Sequence, residues 1–403
     1  MDARFRQLGL LALAELLAMG LWFSASAVAP VLREAWGLTD AGEAWLTMSV
    51  QLGFVTGAVL SAFLTLADVW SPRWLIAGSA ALGALATAAI AAFSSGAASA
   101  IPLRFLTGVA LAGVYPPGMK VLAGWFREGR GAAIGVLIGA LAIGSGAPHL
   151  LRPLGGLGDW RPVLYLASGL AAAGALIAGL AIRPGPFQAP AAPFDPSAVR
   201  RILADRATML ANGGYFGHMW ELYAVWTWIP AFLAASFARD ASPGTTAALA
   251  SVLAFATIAA GGAGAWLAGV LADRVGRTTV TSASMVVSGA ACLVAGLLFG
   301  GSPWLLGTLC LVWGFAVVAD SAQFSACVTE LAEPEYVGTA LTLQTAFGFL
   351  LTIATIRLLP VWEAAWGWSW AFAPLAIGPA LGTWSMLALR RRPEANRIAG
   401  GRR

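Results

Sequence analysis

The sequence GVLADRVGR occupies residues 269–277 and separates two long apolar runs, at 247–271 and 280–300. A short turn between two such runs needs little beyond glycine and polar residues, and arginines there are typical of the cytoplasmic side of a membrane. That interpretation explains Arg274 and Arg277, but it does not explain Asp273 or the spacing of Gly269 and Gly276. Because glycines let another backbone approach closely, we expect this turn to do more than connect two helices.

The composition indicates a membrane protein with many spans. Of the 403 residues, 59% are hydrophobic and 11% are charged, whereas about a quarter of a soluble domain is charged. A membrane-crossing helix takes about 20 residues, so the chain has room for about a dozen of them. The 24 basic residues are scattered through the predicted loops, and they do not form the one-sided basic patch of a nucleic-acid-binding protein.

Twelve apolar runs predict spans 1 to 12. They lie at residues 8–30, 44–66, 74–93, 98–122, 131–151, 161–182, 207–236, 247–271, 279–300, 303–327, 338–359 and 368–389. The proline-rich segment 183–206 predicts an extended linker. The predicted domains are therefore a six-helix bundle at 1–182, the linker at 183–206, a second six-helix bundle at 207–390 and a basic tail at 391–403. The fold class is an all-α membrane protein of twelve transmembrane helices in two pseudo-symmetric bundles.

The arginines also predict orientation. Most of them lie in one set of loops, together with the linker and the tail, which places both termini and the linker in the cytoplasm of a cell with a bacterial-type inner membrane. Glu15, inside the first apolar run, argues that this run is a span and not a cleaved signal peptide. The loop between spans 10 and 11 breaks the pattern, because it carries Glu330, Glu333 and Glu335 and no basic residue.

The two halves repeat at an offset of about 206 residues. Glu15 and Trp22 in span 1 are matched by Glu221 and Trp228 in span 7, and both segments read E-L-x-A-x-x-x-W. Further matches in nearly the same register pair Asp68 with Asp273 and Gly108 with Gly314. Several matches at equivalent points of each half indicate an internal duplication.

The stretch at 269–277 resembles the signature loop G-x-L-a-D-r-x-G-r-r of the major facilitator superfamily. Other segments also resemble elements of that family, namely Arg104-Phe105-Leu106-Thr107-Gly108, Trp125-Phe126 with Arg130-Gly131, and Gly158-Asp159-Trp160-Arg161. The resemblance covers nearly the whole chain. It implies two parallel six-helix repeats that transport a solute by alternating access.

The resemblance also implies a gate at the cytoplasmic side. The first-half copy of the loop, at 64–73, keeps Asp68 and Arg73 but lacks both glycines. The predicted gating residues are Asp68, Arg73, Gly269, Asp273, Arg274, Gly276 and Arg277. Asp273 is expected at the start of span 11, where a helix N-terminus favours a carboxylate, and Asp68 is expected against span 5 with fewer supports. We therefore expect Asp273→Asn to loosen the gate more than Asp68→Asn.

Ionisable residues inside spans are candidates for binding, because a buried charge costs about 2.5–3.5 kcal/mol at a helix centre. They are Glu15, Arg104, His149, His218, Glu221 and Asp320. By resemblance, spans 1, 4, 7 and 10 line a central cavity, which would hold all of them except His149. The predicted substrate- or proton-binding residues are Glu15, Arg104, His218, Glu221, Asp320 and Gln323. The alternative is that these groups only hold helices together.

Individual roles follow from position. Glu15 and Glu221 are expected to carry protons, since the repeat puts them at similar depth. Arg104 is a candidate partner of Glu15 or an anchor for an anionic group. His218 either relays protons to Glu221 or packs among aromatic rings. Asp320, with Gln323 nearby, makes a polar turn suited to hydrogen bonding with a solute.

Three prolines are expected to interrupt helices. Pro116-Pro117 predicts a break in span 4 near Lys120, which is the only lysine, and Pro230 predicts one in span 7.

The sequence therefore predicts a monomeric, proton-coupled secondary active transporter for a small solute. Its partners are that solute or ion, protons and the bilayer. The alternatives are a drug or metabolite efflux antiporter and an inorganic or organic anion carrier of the nitrate/nitrite type. By the resemblance, nitrate carriers of the superfamily use arginines in spans 2 and 8. Spans 2 and 8 of this chain carry no Arg, which disfavours nitrate. We predict no metal, cofactor or catalytic residue. A membrane enzyme or sensor is the least favoured class, because no catalytic or nucleotide motif is present.

Overall fold

The computed structural model describes residues 2–154, 159–188, 195, 197–238 and 243–402. The regular elements within these ranges are helical. In the first half they are α1 (Ala3–Ala27), α2 (Ala29–Trp36), α3 (Asp40–Phe63), α4 (Leu66–Val69), α5 (Pro72–Phe93), α6 (Ala97–Leu111), α7 (Tyr115–Trp125), α8 (Arg130–Leu154) and α9 (Arg161–Ala181).

The second half continues with the same kind of element. Its α-helices are α10 (Ser197–Ala204), α11 (Arg206–Phe237), α12 (Pro243–Val275), α13 (Arg277–Val294), α14 (Pro303–Ala319), α15 (Ser321–Leu331), α16 (Val337–Trp366), α17 (Trp368–Ala371) and α18 (Ile377–Arg390). Short 3₁₀ helices occupy Ala295–Leu298, Pro334–Tyr336, Ala373–Ala376 and Pro393–Gly401.

Eleven helical segments in the described ranges are long and apolar enough to cross a membrane. The remaining predicted span, span 7, corresponds to α11, which has 32 residues and is long enough to cross a hydrocarbon core of about 30 Å. It carries the polar residues Asn212, His218 and Glu221. The predicted all-α membrane fold of twelve helices is therefore confirmed.

Packing within each half supports the predicted repeat. α3 packs along α6 and α12 packs along α14, which are the pairs made by spans 2 and 4 and by spans 8 and 10. Gly108 and Gly314 mark these contacts, because a Cβ atom on Gly108 would collide with the Val50 carbonyl and one on Gly314 with the Thr257 carbonyl. The two glycines that match in the sequence thus have the same structural role.

Contacts group the chain into two units. One contains Met1–Arg127, Ala140–Ile202 and Ala332–Leu350, and the other contains Glu128–Gly139, Leu203–Leu331 and Leu351–Arg403. The long helices α8 and α16 therefore each contribute residues to both units. The predicted division into bundles at 1–182 and 207–390 follows chain order alone and remains a prediction.

Spans 4 and 10 are both interrupted. The break in span 4 lies before the position that Pro116-Pro117 predicts, and no proline predicts the break in span 10. α6 ends at Leu111 and α7 begins at Tyr115, so the break precedes Lys120 by more than a turn. Pro116 lies in the first turn of α7, where a missing N–H costs nothing. Span 10 is interrupted at Asp320, between α14 and α15. The predicted break at Pro230 is wrong, since α11 continues through it.

The linker is not wholly extended, which corrects that prediction for residues 197–204. α10 forms there because Ala198, Val199 and Ile202 lie on one face and are buried. Asp195 precedes this helix and accepts a hydrogen bond from the Ser197 N–H at 2.8 Å. Hydrogen bonds from the Ser197 hydroxyl and from Arg201 lower the pKa of Asp195. Pro190, Pro193 and Pro196 lie outside the described residues.

Candidate functional site

The Asp68 cluster consists of Asp68, Lys120, Gly338 and Thr339. Asp68 lies in the short helix α4 and its side chain is buried. Its carboxylate accepts hydrogen bonds from the N–H groups of Gly338 (3.1 Å) and Thr339 (2.6 Å) and from the Thr339 hydroxyl (2.7 Å). The Lys120 ammonium is ion-paired with the same carboxylate and donates to the Ala67 carbonyl at 2.9 Å. Asp68 therefore caps the first turn of α16, where the helix dipole favours a negative charge.

The Asp273 cluster consists of Asp273, Arg277, Gln323, Glu330 and the Gly131–Ala132 backbone. The Asp273 carboxylate accepts from the N–H groups of Gly131 (3.3 Å) and Ala132 (3.1 Å), at the start of α8. It also pairs with Arg277 at 3.1 Å. The arrangement repeats the Asp68 cluster, because in each case a carboxylate from the loop after the second span of its half caps another helix.

Arg277 is the centre of this second cluster. Its guanidinium is buried, with a side-chain exposure of 1%. It donates two hydrogen bonds to Glu330, at 2.7 and 3.0 Å, and one to the Gln323 carbonyl oxygen at 2.8 Å. A bidentate ion pair between a guanidinium and a carboxylate is among the strongest polar contacts in proteins. Glu330, the acidic exception to the arginine pattern of the loops, is thus explained by its pairing with Arg277.

Two glycines of the segment 269–277 occupy positions that favour glycine over any other residue. A Cβ atom on Gly269 would meet the carbonyl oxygen of Gly131 at 2.5 Å, so only glycine allows α12 to approach α8 this closely. Gly276 adopts φ +104°, a conformation that side-chain-bearing residues rarely adopt. It also lets the chain turn directly into α13.

Each of the two aspartates caps the helix that the sequence predicts for the other. Asp273 was expected at the start of span 11 and Asp68 against span 5, but Asp68 caps α16 (span 11) and Asp273 caps α8 (span 5). The expectation that Asp68 has fewer supports is also wrong, because Lys120 and the Thr339 hydroxyl add to its two backbone donors. Sequence cannot tell the two helix starts apart, since both have glycine as their second residue.

Three of the predicted site residues lie elsewhere than expected. Arg73 stacks its guanidinium over its neighbour Trp74, 4.8 Å from the ring centre, and within the described ranges it forms no hydrogen bond or ion pair with Asp68. Arg274 is exposed in the last turn of α12, where a positive charge suits the helix dipole. Gln323 faces Arg277 and so belongs to the Asp273 cluster.

Glu15 lies in α1 with a relative exposure of 1%. Neither carboxylate oxygen has a hydrogen-bond partner within the described part of the chain, and none of the ion pairs there includes it. An ionised carboxylate in such a place would lose its hydration without compensation. Glu15 is therefore a buried acid whose charge the surrounding protein does not balance.

Glu221, its counterpart in the repeat, is surrounded by hydrogen-bond donors. Its carboxylate accepts from Ser288 (2.9 Å), from Trp313 Nε1 (2.6 Å) and from the Cys292 thiol (3.2 Å). Ser288 and Cys292 lie on α13 and Trp313 lies on α14, so this carboxylate ties α11 to two other helices. The two glutamates that match in sequence therefore have different surroundings.

His218 and Asp320 form a buried pair in the same half. Nδ1 of His218 lies 2.8 Å from Oδ1 of Asp320, and each side chain is 1% exposed. The two atoms lie within ion-pair distance without being aligned for a hydrogen bond. His218 also packs between Tyr215 and Phe324, whose ring centres lie 5.9 and 5.8 Å away.

Within the described part of the chain, Arg104 pairs with carbonyl groups and with no carboxylate. Its guanidinium donates to the carbonyl oxygens of Leu46 (3.2 Å) and Leu21 (2.8 Å), and also to that of Trp22. These carbonyls belong to α3 and α1, so Arg104 holds three helices together. The side chain of His149 lies outside the described residues.

Replacing Arg104 by Lys is expected to destabilise the protein, because one ammonium cannot reach three carbonyls spread over two helices. We expect a loss of about 2–3 kcal/mol, the range for hydrogen bonds to a charged group together with an unsatisfied buried acceptor. Thermal unfolding of the detergent-solubilised protein measures this. A variant with the wild-type midpoint would contradict the assignment, and Arg274→Lys, on an exposed side chain, is the control.

Sequence reasoning missed several residues of these sites. Lys120 was noted only as a landmark, although the single lysine of a chain rich in arginine is itself a signal of a special site. Ser288, Cys292 and Trp313 are small or aromatic residues in apolar spans, and no pattern distinguishes them from ordinary packing. Their roles depend on which helix faces Glu221.

The model of the family described as Major Facilitator Superfamily matches residues 11–238, more than half of the chain. The chain belongs to the major facilitator superfamily. No curated protein matches this superfamily member in sequence.

Solved structures support the same fold. One similar structure is the proton:xylose symporter XylE bound to 6-bromo-6-deoxy-D-glucose, with a TM-score of 0.76, 12% identity and 96% coverage of both chains. Another is the human organic anion transporter MFSD10 (TETRAN), with a TM-score of 0.73 and 16% identity over 96% of this chain and all of that one. At such identities the similarity is one of fold.

Proposed function

We propose that this superfamily member is a proton-coupled secondary active transporter that moves a small organic solute by alternating access. We place it in a bacterial-type inner membrane with both termini in the cytoplasm, following the arginine pattern of its loops. The observation that carries the proposal is Glu15, a carboxyl group buried in a spanning helix with no balancing partner among the described residues. Membership of a family of transporters supplies the context.

Glu15 supplies a physical means of coupling. Inside a hydrocarbon core, a carboxylate without donors or a cation costs several kcal/mol, so the neutral, protonated form is favoured while the group stays enclosed. When the transport cycle exposes it to water, the ionised form is hydrated and the proton can leave. A proton is then carried across only when the protein changes conformation.

Glu221 has a different role in this proposal. Its three donors on α13 and α14 stabilise its carboxylate in place, and a group held so tightly is suited to positioning α11. This departs from the sequence-based expectation that both glutamates carry protons. The repeat thus has one acid for coupling and one for structure.

The charges also favour a class of solute. Each buried Lys or Arg of the described residues is engaged: Arg104 by carbonyls, Lys120 by Asp68 and Arg277 by Glu330. An anionic solute would find none of these cations free. The second half instead holds the buried acid Asp320 beside His218, so we propose a cationic or neutral amphipathic solute. Efflux of drugs or metabolites fits this better than anion transport.

Uptake into proteoliposomes with three probes tests the charge class: methylphenylpyridinium as an organic cation, D-xylose as a neutral solute and p-aminohippurate as an organic anion. We expect the cation to be transported. Asp320→Asn should lower its uptake about thirtyfold or more, which corresponds to the loss of about 2 kcal/mol or more expected when one partner of a buried charge pair is removed, whereas exposed Asp159→Asn should not. Transport of p-aminohippurate without the cation would contradict the proposed class.

A further inference from the structure

The segment Pro393–Arg402, called here the strap, follows α18 and was predicted only as a basic tail. It contains a 3₁₀ helix (Pro393–Gly401). Ala395 and Ile398 within it have a relative exposure of 0%. A segment that buries its apolar side chains fully is bound to the helices beneath it, and its contacts are with α15, α12 and α18.

Two hydrogen bonds join the strap to the Asp273 cluster. The Ala399 N–H donates to Oε2 of Glu330 at 3.0 Å, the oxygen that also accepts from Nε of Arg277. The Arg402 guanidinium donates to the backbone carbonyl of Asp273 at 2.6 Å. The strap therefore contacts the cluster at its aspartate and at its central ion pair.

The backbone turns sharply to reach these groups. Ala399, Gly400 and Gly401 have φ values of 49°, 65° and 88°. Two of the three are glycines, for which this conformation is easy, but Ala399 adopts it at a cost. The chain bears that cost while the Ala399 N–H is bonded to Glu330, which indicates that the contact holds the turn.

We propose that the strap is an intramolecular brake on the Asp273 cluster. While bound, it fixes Glu330 and the Asp273 backbone, and so holds the end of α12 against the start of α8. When the strap detaches, the Gly131 and Ala132 N–H groups separate from Asp273 more easily. Its consequence for transport rests on the proposed function, but the contact itself can be tested without solute or a proton gradient.

Hydrogen–deuterium exchange of the purified full chain tests the brake directly. The Gly131 and Ala132 amides report on Asp273, and the Gly338 and Thr339 amides of the Asp68 cluster are a matched internal control, because a carboxylate caps them in the same way. The variants are a chain ending at Arg392 and the point variant Arg402→Ala. Arg397→Ala, on an exposed arginine of the same segment, is the control variant.

We expect exchange at residues 131–132 to accelerate about threefold to tenfold in the shortened chain, corresponding to the loss of one or two hydrogen bonds. Arg402→Ala should give a smaller increase, and Arg397→Ala none. Exchange at 338–339 should stay at the wild-type rate in all three. The proposal is overturned if 131–132 exchange at the wild-type rate without the strap, or if 338–339 accelerate equally, which would indicate general loosening.

Discussion

Glu15→Gln is expected to abolish accumulation of solute driven by a proton gradient, while exchange of solute at equilibrium continues. Glutamine matches the shape of a protonated glutamate and is neutral in every state, so the helices can still rearrange but no proton is carried. The wild-type protein, coupling one proton to one solute, should sustain up to about a tenfold concentration ratio per pH unit. The variant should only equilibrate the two sides.

Proteoliposomes loaded with methylphenylpyridinium measure both activities. Glu221→Gln is the matched control, because it is the same chemical change at the repeat-equivalent position. We expect it to lower the unfolding midpoint, since a neutral amide forms weaker hydrogen bonds with Ser288, Cys292 and Trp313 than a carboxylate does, and to keep coupling in the protein that remains folded. If Glu15→Gln still accumulates solute when driven by the proton gradient, or if Glu221→Gln alone loses this activity, the roles assigned to the two glutamates would have to be exchanged.

Asp68→Asn is expected to loosen its cluster more than Asp273→Asn loosens its own, the reverse of what the loop sequences predict. Asp68 is fully buried and neutralises Lys120, and removing one charge of a buried pair costs about 3–5 kcal/mol. Asp273 is 18% exposed, and Arg277 keeps Glu330 as its partner when Asp273 is replaced. The loss there should be nearer 1 kcal/mol.

Amide exchange compares the two clusters on equal terms. In Asp68→Asn the Gly338 and Thr339 amides should accelerate by about a hundredfold or more, whereas in Asp273→Asn those of Gly131 and Ala132 should accelerate about fivefold to tenfold. Arg274→Gln, an exposed change in the same loop, should leave both unchanged. Equal acceleration in the two clusters, or a larger one at Gly131, would refute the reversed order.

Much of the fold could be predicted because it depends on local properties. Apolar runs of the right length gave the spans, and the register shared by Glu15 with Glu221 and by Gly108 with Gly314 indicated the duplication. The signature loop predicted the superfamily, and the match of the family model to residues 11–238 confirms it. These features need no knowledge of which helix faces which.

The details of the sites depend on that knowledge and could not be predicted. Whether Asp68 meets α8 or α16 is decided by the packing of helices far apart in sequence. Glu15 and Glu221 have the same local sequence, and only the neighbouring helices show that one is unpartnered and the other has three donors. The strap was predicted as part of a basic tail because residues 391–403 contain five arginines, whereas the burial of Ala395 and Ile398 is a tertiary effect.

The most direct test of proton coupling measures protons rather than solute. Proteoliposomes containing a pH-sensitive dye are given a methylphenylpyridinium gradient without a pH gradient. The wild-type protein should change the luminal pH, with a sign that distinguishes symport from antiport, and Glu15→Gln should produce no change. Movement of the cation through the wild-type protein at constant luminal pH, or a wild-type pH change in Glu15→Gln, would contradict proton coupling through Glu15.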